Sequence, residues 1–392
     1  MNKKVLSLII LFFSLITFVQ AQTDGKITIK GTVSDGNTGE PVPFANLGVL
    51  GTVAGVASDM DGNFELVLPD KYADKVIRVS VVGYTTYDVK VADVQGREDV
   101  KIVLSPVSYS IAEVDVFAES LVYKKMLRTA AENISRNYIS RPYNYQGYFE
   151  YTVLNNDAVE SSKEAIVAIY DAKGYKRSDV ETAFKELNYR FSQVRRDREV
   201  KSVFDGLNYF DDIITADIVR NTRNVLDIAN GRDYKLKNKG CILFEGDSVQ
   251  IIAYEAEKPV PSLTGDASVL TYSGEIYINL KDYAVIKNVA NVTAKDFNIL
   301  SRNLIAVNGS KKDNVKMTMI TNYKKLDQVY FLSGINILYS YKEGGNNIEG
   351  KMQYVTTRVN MDTPEKISGR MYYEDIKTDK KFWDNYSVYF EK

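Results

Sequence analysis

The chain has 392 residues, with 50 Lys and Arg against 51 Asp and Glu, one Cys, one Trp and no His. This nearly equal number of basic and acidic residues argues against a dedicated nucleic-acid binder, because binding to phosphates needs a basic surface. The lack of His excludes Ser-His-Asp and Cys-His catalysis and every zinc site that uses imidazole, and a single Cys excludes an intramolecular disulfide. We therefore expect no cofactor, and no chemistry beyond that of carboxylates, Tyr, Lys and Ser.

The first 21 residues have the three parts of a secretory signal. Lys3 and Lys4 form a positive start, residues 5–18 form the apolar stretch, and Val19-Gln20-Ala21 ends in a small residue. A membrane anchor is the alternative, but the stretch is shorter than the ~20 residues of a spanning helix. We expect a signal peptide over 1–21, no transmembrane helix in the mature chain, and a location in the periplasm, at the outer membrane or on the cell surface.

Residues 22–105 alternate between apolar and polar side chains in short runs. Ile27 and Ile29 lead the first run, and turn sequences rich in Gly, Asn, Asp and Pro follow at residues 34–41 and 59–63. No stretch of this region has the period of a helix. About seven short strands with turn signals between them predict a seven-stranded β-sandwich over 22–105.

Four motifs follow one another in this region: residues 31–35 (GTVSD), 39–46 (GEPVPFAN), 58–64 (SDMDGNF) and 81–84 (VVGY). In this order they resemble the carboxypeptidase-like regulatory domain, a transthyretin-like sandwich common at the N-termini of exported Gram-negative surface proteins. The resemblance does not imply peptidase activity, because the zinc carboxypeptidases need His to hold their metal. TonB-dependent receptors also carry this domain, but we expect the residues that follow here to be too few for a plug and a long barrel.

The sequence 59–63 (DMDGN) also suggests a calcium site with Asp59 and Asp61 as ligands. An EF-hand loop has its Gly at the sixth position and a helix on each side, whereas Gly62 is fourth here and strands flank the loop. A tight turn between two sandwich strands explains the same residues through turn chemistry. We favour the turn, and Asp59 and Asp61 are the metal candidates of this sequence.

After a connector at 106–118, the pattern over 119–392 becomes that of an α+β domain. Apolar spacings of three and four predict an amphipathic helix over 119–139, ended by Arg141-Pro142. A second helix is predicted over 203–229, packed against a sheet through Leu207, Phe210, Ile214 and Ile218. Extended runs predict an antiparallel meander; they lie at residues 143–154, 164–170, 241–245, 248–255, 270–280, 284–293, 315–323, 329–341 and 350–359. The predicted fold is mainly β: the sandwich plus a large curved antiparallel sheet with about two packed helices.

Two fainter resemblances lie in this second region. Residues 123–127 (YKKML), 137–138 (NY) and 147–149 (GYF) resemble the helix and first strand that follow the sandwich in a family of exported proteins of unknown function. Residues 274–278 (GEIYI) with 282–286 (DYAVI) resemble the repeated hairpin of half-barrel lipoprotein carriers. Neither resemblance brings a catalytic residue. The second implies a carrier that holds a lipid or another apolar ligand on the concave face of its sheet.

Two residue types need an interpretation of their own. Cys241 lies in the apolar run 240–244 (GCILF), which predicts a buried thiol that packs as a small hydrophobic group. The chain has 28 Tyr residues, most of them scattered along the second region. Such rings can stack on sugars or line a lipid groove. We favour the interpretation that they are strand residues with half-buried rings and hydroxyl groups that face water.

Three functions are compatible with the sequence. The leading hypothesis is a non-enzymatic envelope protein that binds or scaffolds an envelope protein, a glycan or a lipid, because no P-loop, dinucleotide fingerprint or nucleophile elbow is present. It predicts no catalytic and no cofactor-binding residue, and no oligomeric state is specified. The lipid carrier is the alternative. The third is a glycosidase with paired carboxylates, for which Asp211 with Asp212, or Glu343 with Glu349, are the candidates.

Overall fold

The computed structural model describes residues 25–52, 54–59, 61–107, 116–175, 187–200, 210–227, 233–265, 267–295, 313–368 and 373–386. The predicted signal peptide and most of the predicted connector lie outside these residues. The described chain is mainly β, as predicted, with two small N-terminal sheets and one large antiparallel sheet.

The N-terminal part has the seven strands that the alternation predicts. Their bounds are β1 Lys26–Asp35, β2 Asn46–Val49, β3 Gly55–Ala57, β4 Asn63–Pro69, β5 Val76–Ser80, β6 Tyr87–Lys90 and β7 Val100–Leu104. They form two sheets with the orders β4-β1-β7 and β3-β2-β5-β6. A single helical turn, α1 (Val91–Val94), precedes β7. Leu47, Leu66 and Val79 are at most 1% exposed, because strand alternation turns their side chains into one shared core.

The second part is built on a ten-stranded sheet. Its strands are β8 Tyr143–Asn155, β9 Ala158–Asp171, β10 Leu187–Val200, β11 Tyr234–Phe244, β12 Asp247–Ala256, β13 Val269–Asn279, β14 Val285–Ala294, β15 Asp313–Leu326, β16 Val329–Glu343 and β17 Asn346–Asn360. The order is β10-β9-β8-β17-β16-β15-β14-β13-β12-β11. The predicted meander is correct from β11 to β17, but the sheet then continues because β17 pairs with β8.

The strand β10 is not among the predicted ones. Leu187, Tyr189 and Phe191 alternate and are buried, which is a valid strand signal. The pairing of β10 with β9 is then irregular between Phe191 and Gln193 and again between Arg195 and Val200. These irregularities interrupt the period of two on which the prediction depends.

The helices of the second part are short apart from the first. They are α2 Val116–Glu132, α3 Ile134–Asn137, α4 Phe210–Thr215, α5 Pro261–Thr264 and α6 Lys380–Asn385, with a 3-10 turn at Tyr373–Asp375. The helix predicted over 119–139 is confirmed, with a break at Asn133 that separates α2 from α3.

The helix predicted over 203–229 is wrong in its extent. Among the described residues only α4 is helical there, and Leu207 lies outside the described residues. The carboxylate of Asp217 accepts hydrogen bonds from the backbone N–H groups of Val219 (3.2 Å) and Arg220 (3.3 Å), and this local bonding competes with a helix. The predicted packing of this segment against the sheet is confirmed, because Phe210 and Ile214 are buried there.

The large sheet has two different faces. The ring of Phe210 in α4 packs against Phe149 of β8 and Tyr354 of β17, with ring centroids 5.4 and 5.5 Å apart. Since side chains alternate along a strand, Phe149 faces α4 and its neighbours Tyr148 and Glu150 face the opposite side. We call these the helix face and the sandwich face, because the N-terminal sandwich lies on the second.

The tyrosine rings form much of the core on the helix face. Seven Tyr side chains are less than 2% exposed: Tyr138, Tyr143, Tyr175, Tyr189, Tyr234, Tyr254 and Tyr354. The hydroxyl of Tyr138 donates to the carbonyl of Val285 and that of Tyr234 to the carbonyl of Leu263. The prediction that Tyr hydroxyl groups face water is therefore wrong for this core, where protein carbonyls take the place of water.

Candidate functional site

The sandwich packs on the sandwich face of the large sheet through a small set of specific contacts. Lys324 Nζ donates to Asn46 Oδ1 at 2.5 Å, and Lys351 Nζ donates to Asp61 Oδ1 at 2.7 Å. The ring of Phe44 lies over Gly334 of β16, where a Cβ atom would stand 3.6 Å from it. Phe44 has φ = 61°, a left-handed conformation that is uncommon for a residue other than glycine. The junction between the sandwich and the large sheet therefore holds Phe44 in a strained conformation.

An inner cavity of about 220 Å³ lies within this junction. Its walls are largely apolar and come from both parts, including Phe44, Val56, Val82, Phe331 and Val355. Its polar lining groups include Ser80, Asn322, Lys324, Lys325, Glu245 and Asp247. The cavity is thus an apolar space with polar groups at specific positions, the usual character of a small-molecule site.

Two lysines of the sheet are partly buried under the sandwich. Lys324 lines the inner cavity, and Lys287 Nζ lies 3.5 Å from the carbonyl oxygen of Val82 and 5.2 Å from the ring centroid of Tyr277. Burial lowers the pKa of each to about 8, because the charged ammonium loses its hydration. The junction is therefore less stable when these lysines carry their charge.

Replacing Lys287 by methionine is expected to raise the free energy of unfolding at pH 7 by about 1–3 kcal/mol. The folded pKa is about 8 and lies below the unfolded one, so the folded state carries the full desolvation cost below pH 8. Between pH 8 and about 10.5 the unfolded state binds more protons, and the stability of the unmodified protein rises relative to that of the variant. Urea unfolding at pH 7 and pH 10.5 measures both effects.

The matched control is Lys316→Met, which removes an exposed lysine from β15. This change should alter the free energy of unfolding by less than about 0.5 kcal/mol at either pH. Lys324 titrates in the unmodified protein and in both variants, so its contribution cancels when their free energies of unfolding are compared. A gain for Lys287→Met that is as large at pH 10.5 as at pH 7 would contradict a desolvation cost.

An outer groove opens between the sandwich and strands β8, β9 and β17. It consists of two spaces of about 530 and 260 Å³ that share Asp59, Glu150 and Gln353. The turn after β3, with Asp59 and Asn63, forms the sandwich side. The larger space lies within the range of 300–1,000 Å³ that is usual for ligand sites.

An aromatic cluster forms one end of the outer groove. Trp383 and Tyr386 come from the C-terminal helix α6 and its end, and Tyr148 comes from β8. Trp383 Nε1 donates to the carbonyl of Val194 at 2.7 Å, which fixes the indole, and the guanidinium of Arg195 lies 5.6 Å from the ring centroid. A ligand in the groove therefore meets a rigid aromatic surface.

The lining of the outer groove carries an excess of negative charge. The carboxylates are Asp59, Asp61, Glu65, Glu98, Asp99, Glu150 and Glu164, and the cations are Lys30, Lys101, Arg195 and Lys351. Three of the cations pair with groove carboxylates: Lys30 with Glu65, Arg195 with Glu164 and Lys351 with Asp61. Burial raises the pKa of Asp59, so a cation placed beside it would stabilise its ionised form.

Gln353 lies where the two spaces of the outer groove meet. It belongs to β17, its side chain is directed to the sandwich face, and it is 7% exposed. Within the part of the chain that the structure describes, its carboxamide has no hydrogen-bond partner. The carboxamide therefore lines the groove as a polar group that can both donate and accept hydrogen bonds.

A second polar cluster lies on the helix face and is fully buried. Arg220 Nη2 donates to Asp171 Oδ2 at 2.6 Å and to the hydroxyl of Tyr143 at 2.7 Å. Tyr175 and Tyr323 donate to the two carboxylate oxygens of Asp217 at 3.0 and 2.6 Å. Burial raises the pKa of both phenols well above its ordinary value, so they remain neutral donors. These charges pair with groups of the chain itself, and we assign the cluster a structural role.

The candidates from the sequence fall in different places. Asp59 accepts hydrogen bonds from the backbone N–H groups of Asp61 (3.0 Å) and Asn63 (2.7 Å), so the predicted turn is confirmed, and Asp61 pairs with Lys351. Among the described residues, no three Asp, Glu or Cys side chains are placed to share a metal ion. Both aspartates line the outer groove, which the motif alone did not predict.

The carboxylates proposed for a glycosidase do not form a pair. Glu349 is registered opposite Ser340, and Glu343 opposite Asn346 at the hairpin end. Strand alternation then directs Glu343 and Glu349 to opposite faces of the sheet, so they cannot flank one glycosidic bond. The side chains of Asp211 and Asp212 lie outside the described part of the structure.

Cys241 is exposed, and the prediction of a buried thiol is wrong. The register of β11 turns its neighbour Ile242, 4% exposed, toward the core, and therefore turns Cys241 outward. In the part of the chain that the structure describes, no helix is long and apolar enough to cross a membrane.

The strands and motifs of the N-terminal part define a regulatory-like sandwich domain of the carboxypeptidase type. Residues 29–116 match the family described as CarboxypepD_reg-like domain, which confirms the resemblance found in the motifs. TonB-dependent receptor P3 of Formosa agariphila is 30% identical over 124 residues, which are 31% of this chain and 12% of the receptor. TonB-dependent receptor SusC of Bacteroides thetaiotaomicron is 44% identical over 91 residues, which are 23% of this chain and 8% of the receptor. The chain thus spans only a small part of these relatives.

Two solved structures resemble a larger part of the chain at low identity. A DUF1329 family protein from Desulfovibrio piger covers 63% of this chain and 95% of its own length, with 8% identity and a TM-score of 0.28. A LolA superfamily protein from Nitrosomonas europaea covers 62% of this chain and 94% of its own length, with 11% identity and a TM-score of 0.24. At TM-scores this low, neither similarity supports a conclusion about the fold or function of this chain.

Proposed function

We propose that this chain is a non-enzymatic binding protein of the cell envelope that holds a ligand with positively charged amino groups in the outer groove. The observation that carries the proposal is the excess of carboxylates over cations in the lining of the outer groove. Gln353, where the two groove spaces meet, adds a carboxamide oxygen that accepts hydrogen bonds from an amine.

The charge of the groove supports the cationic character of this ligand. Seven carboxylates line it against four cations, three of which are already paired with groove carboxylates. The aromatic end adds surfaces on which an ammonium group is favourable. The envelope location is supported by the secretory-signal pattern and by the sandwich, which TonB-dependent receptors share.

The helix face gives less support to the lipid-carrier alternative. Phe210, Phe149 and Tyr354 are each at most 2% exposed there, and their rings fill the space between α4 and the sheet. An apolar ligand on that face would have to displace the chain's own aromatic core, which is costly at interior packing density.

Trp383 makes the proposal directly testable, because it is the only Trp of the chain and lines the outer groove. Adding tetralysine or spermidine is expected to change the Trp emission saturably, with an apparent Kd that rises as NaCl screens the charges. Glu150→Gln should weaken this binding about 5- to 10-fold, since it removes a charged acceptor from the groove floor.

The control is Glu257→Gln, which makes the same charge change at an exposed residue just after β12. It should leave the apparent Kd unchanged. A response equally large with tetraglutamate, an equal loss of affinity in both variants, or no saturable response at all would refute amine binding in the groove.

A further inference from the structure

The inner cavity holds more hydrogen-bond donors than the chain satisfies. Asn322 Nδ2 is buried and has no hydrogen-bond partner. The hydroxyl of Ser80, a residue 5% exposed, makes no hydrogen bond within the described part of the chain. Lys324 has three N–H groups, and one of them donates to Asn46. All three side chains line the same cavity of about 220 Å³.

The two parts of the molecule bring these donors together. Asn46 and Ser80 are directly paired residues of β2 and β5, so their side chains emerge side by side toward the large sheet. Lys324 and Asn322 lie two residues apart on β15, and alternation places them on the same face. The donor group therefore exists only when the sandwich is packed on the sheet.

The negative groups of the cavity already have positive neighbours. Asp247 accepts from Asn279 Nδ2 at 2.9 Å and from Lys281 Nζ at 3.3 Å, and these contacts lower its pKa. Glu245 is within electrostatic reach of Arg78 and Lys324. The unsatisfied groups are thus donors, and the complementary ligand group is an oxygen acceptor.

We infer that the inner cavity, which adjoins the outer groove at Val56 and Ala57, is a second binding site that takes a small carboxylate with a short apolar tail. The carboxylate oxygens accept from Lys324 Nζ, Asn322 Nδ2 and the Ser80 hydroxyl. The tail lies against Phe44, Val82 and Val355. An apolar cavity of about 150 Å³ holds benzene, so the volume here is enough for a tail of about five carbons.

Isothermal titration calorimetry with three six-carbon probes tests this inference on the unmodified protein. Hexanoate is expected to bind saturably, whereas hexylamine, with the same number of carbon atoms and the opposite charge, does not. Hexanol should bind at least about 10-fold more weakly than hexanoate, because it lacks the charge that Lys324 recognises. Equal binding of hexanoate and hexanol, or preference for hexylamine, would overturn the assignment.

Two variants locate the site. Lys324→Met should weaken hexanoate binding about 10- to 100-fold, while Lys316→Met, an exposed lysine on the same strand, should not change it. Circular dichroism of both variants verifies that the fold is retained. Unchanged affinity in Lys324→Met would refute the site. Trp383 does not line the inner cavity, so this result is independent of amine binding in the outer groove.

Discussion

Replacing Arg220 by methionine is expected to lower the free energy of unfolding by about 3–5 kcal/mol. Arg220 and Asp171 are 3% and 0% exposed, and their ion pair lies on the helix face at 2.6 Å. Methionine occupies similar space but leaves the Asp171 carboxylate buried without its cation. The backbone N–H groups of Lys173 and Gly174 still donate to that carboxylate, yet they do not neutralise it.

Guanidinium unfolding followed by circular dichroism measures this loss against a surface pair of the same residue types. Arg78 forms two hydrogen bonds with Asp88, but its side chain is 47% exposed, so Arg78→Met should cost less than about 1 kcal/mol. The double variant Arg220→Met/Asp171→Leu removes both charges and should recover part of the stability. Equal losses for Arg220→Met and Arg78→Met would show that burial does not govern the strength of the pair.

Replacing Phe210 by alanine is expected to lower the free energy of unfolding by about 3–5 kcal/mol as well, but for a different reason. Phe210 is fully buried at the centre of an aromatic cluster on the helix face. Its ring centroid lies 4.8 Å from that of Tyr189 and 6.0 Å from that of Phe191. Alanine removes these contacts and leaves a cavity that the surrounding rings, held by β8, β10 and β17, close only in part.

The control for this variant is Leu243→Ala, because Leu243 is 69% exposed on β11 and its truncation should change stability by less than about 0.5 kcal/mol. Benzene added to Phe210→Ala should raise its melting temperature, since a dry aromatic cavity binds apolar ligands. Equal stabilisation of the unmodified protein by benzene would show that benzene binds elsewhere, as in the inner cavity, and that Phe210→Ala opens no new site on the helix face.

Most of the fold was predictable because its signals are local. Alternation and turn residues locate the strands of the sandwich, and the motifs at residues 31–35, 39–46, 58–64 and 81–84 identify its family. The same alternation locates most strands of the large sheet. The failures have local causes too: the irregular pairing of β10 interrupts its period, and the side-chain bonding of Asp217 replaces the second half of a predicted helix.

Only a few residues of the candidate sites could be predicted from the sequence. Asp59 and Asp61 emerged from their turn motif, but nothing near them in sequence indicates Gln353 or Trp383, which lie about 290 and 320 residues further along and line the same groove. The single Trp was visible in the composition, although its role was not. Cys241 shows the limit most simply, because a shift of one residue in register decides whether a side chain faces the core or the solvent.

The sequence by itself determined that this protein lacks His-dependent chemistry, because it contains no His. It also determined most of the helices and strands, because apolar residues recur every two residues in a strand and every 3.6 in a helix, a pattern that neighbouring residues reveal. Only the tertiary structure decided that the sandwich packs on the sheet face opposite α4. That packing places Ser80 and Lys324 in the lining of the inner cavity, and Asp59 and Gln353 in the lining of the outer groove. Contacts between residues hundreds of positions apart depend on register and on domain packing, which no local pattern specifies.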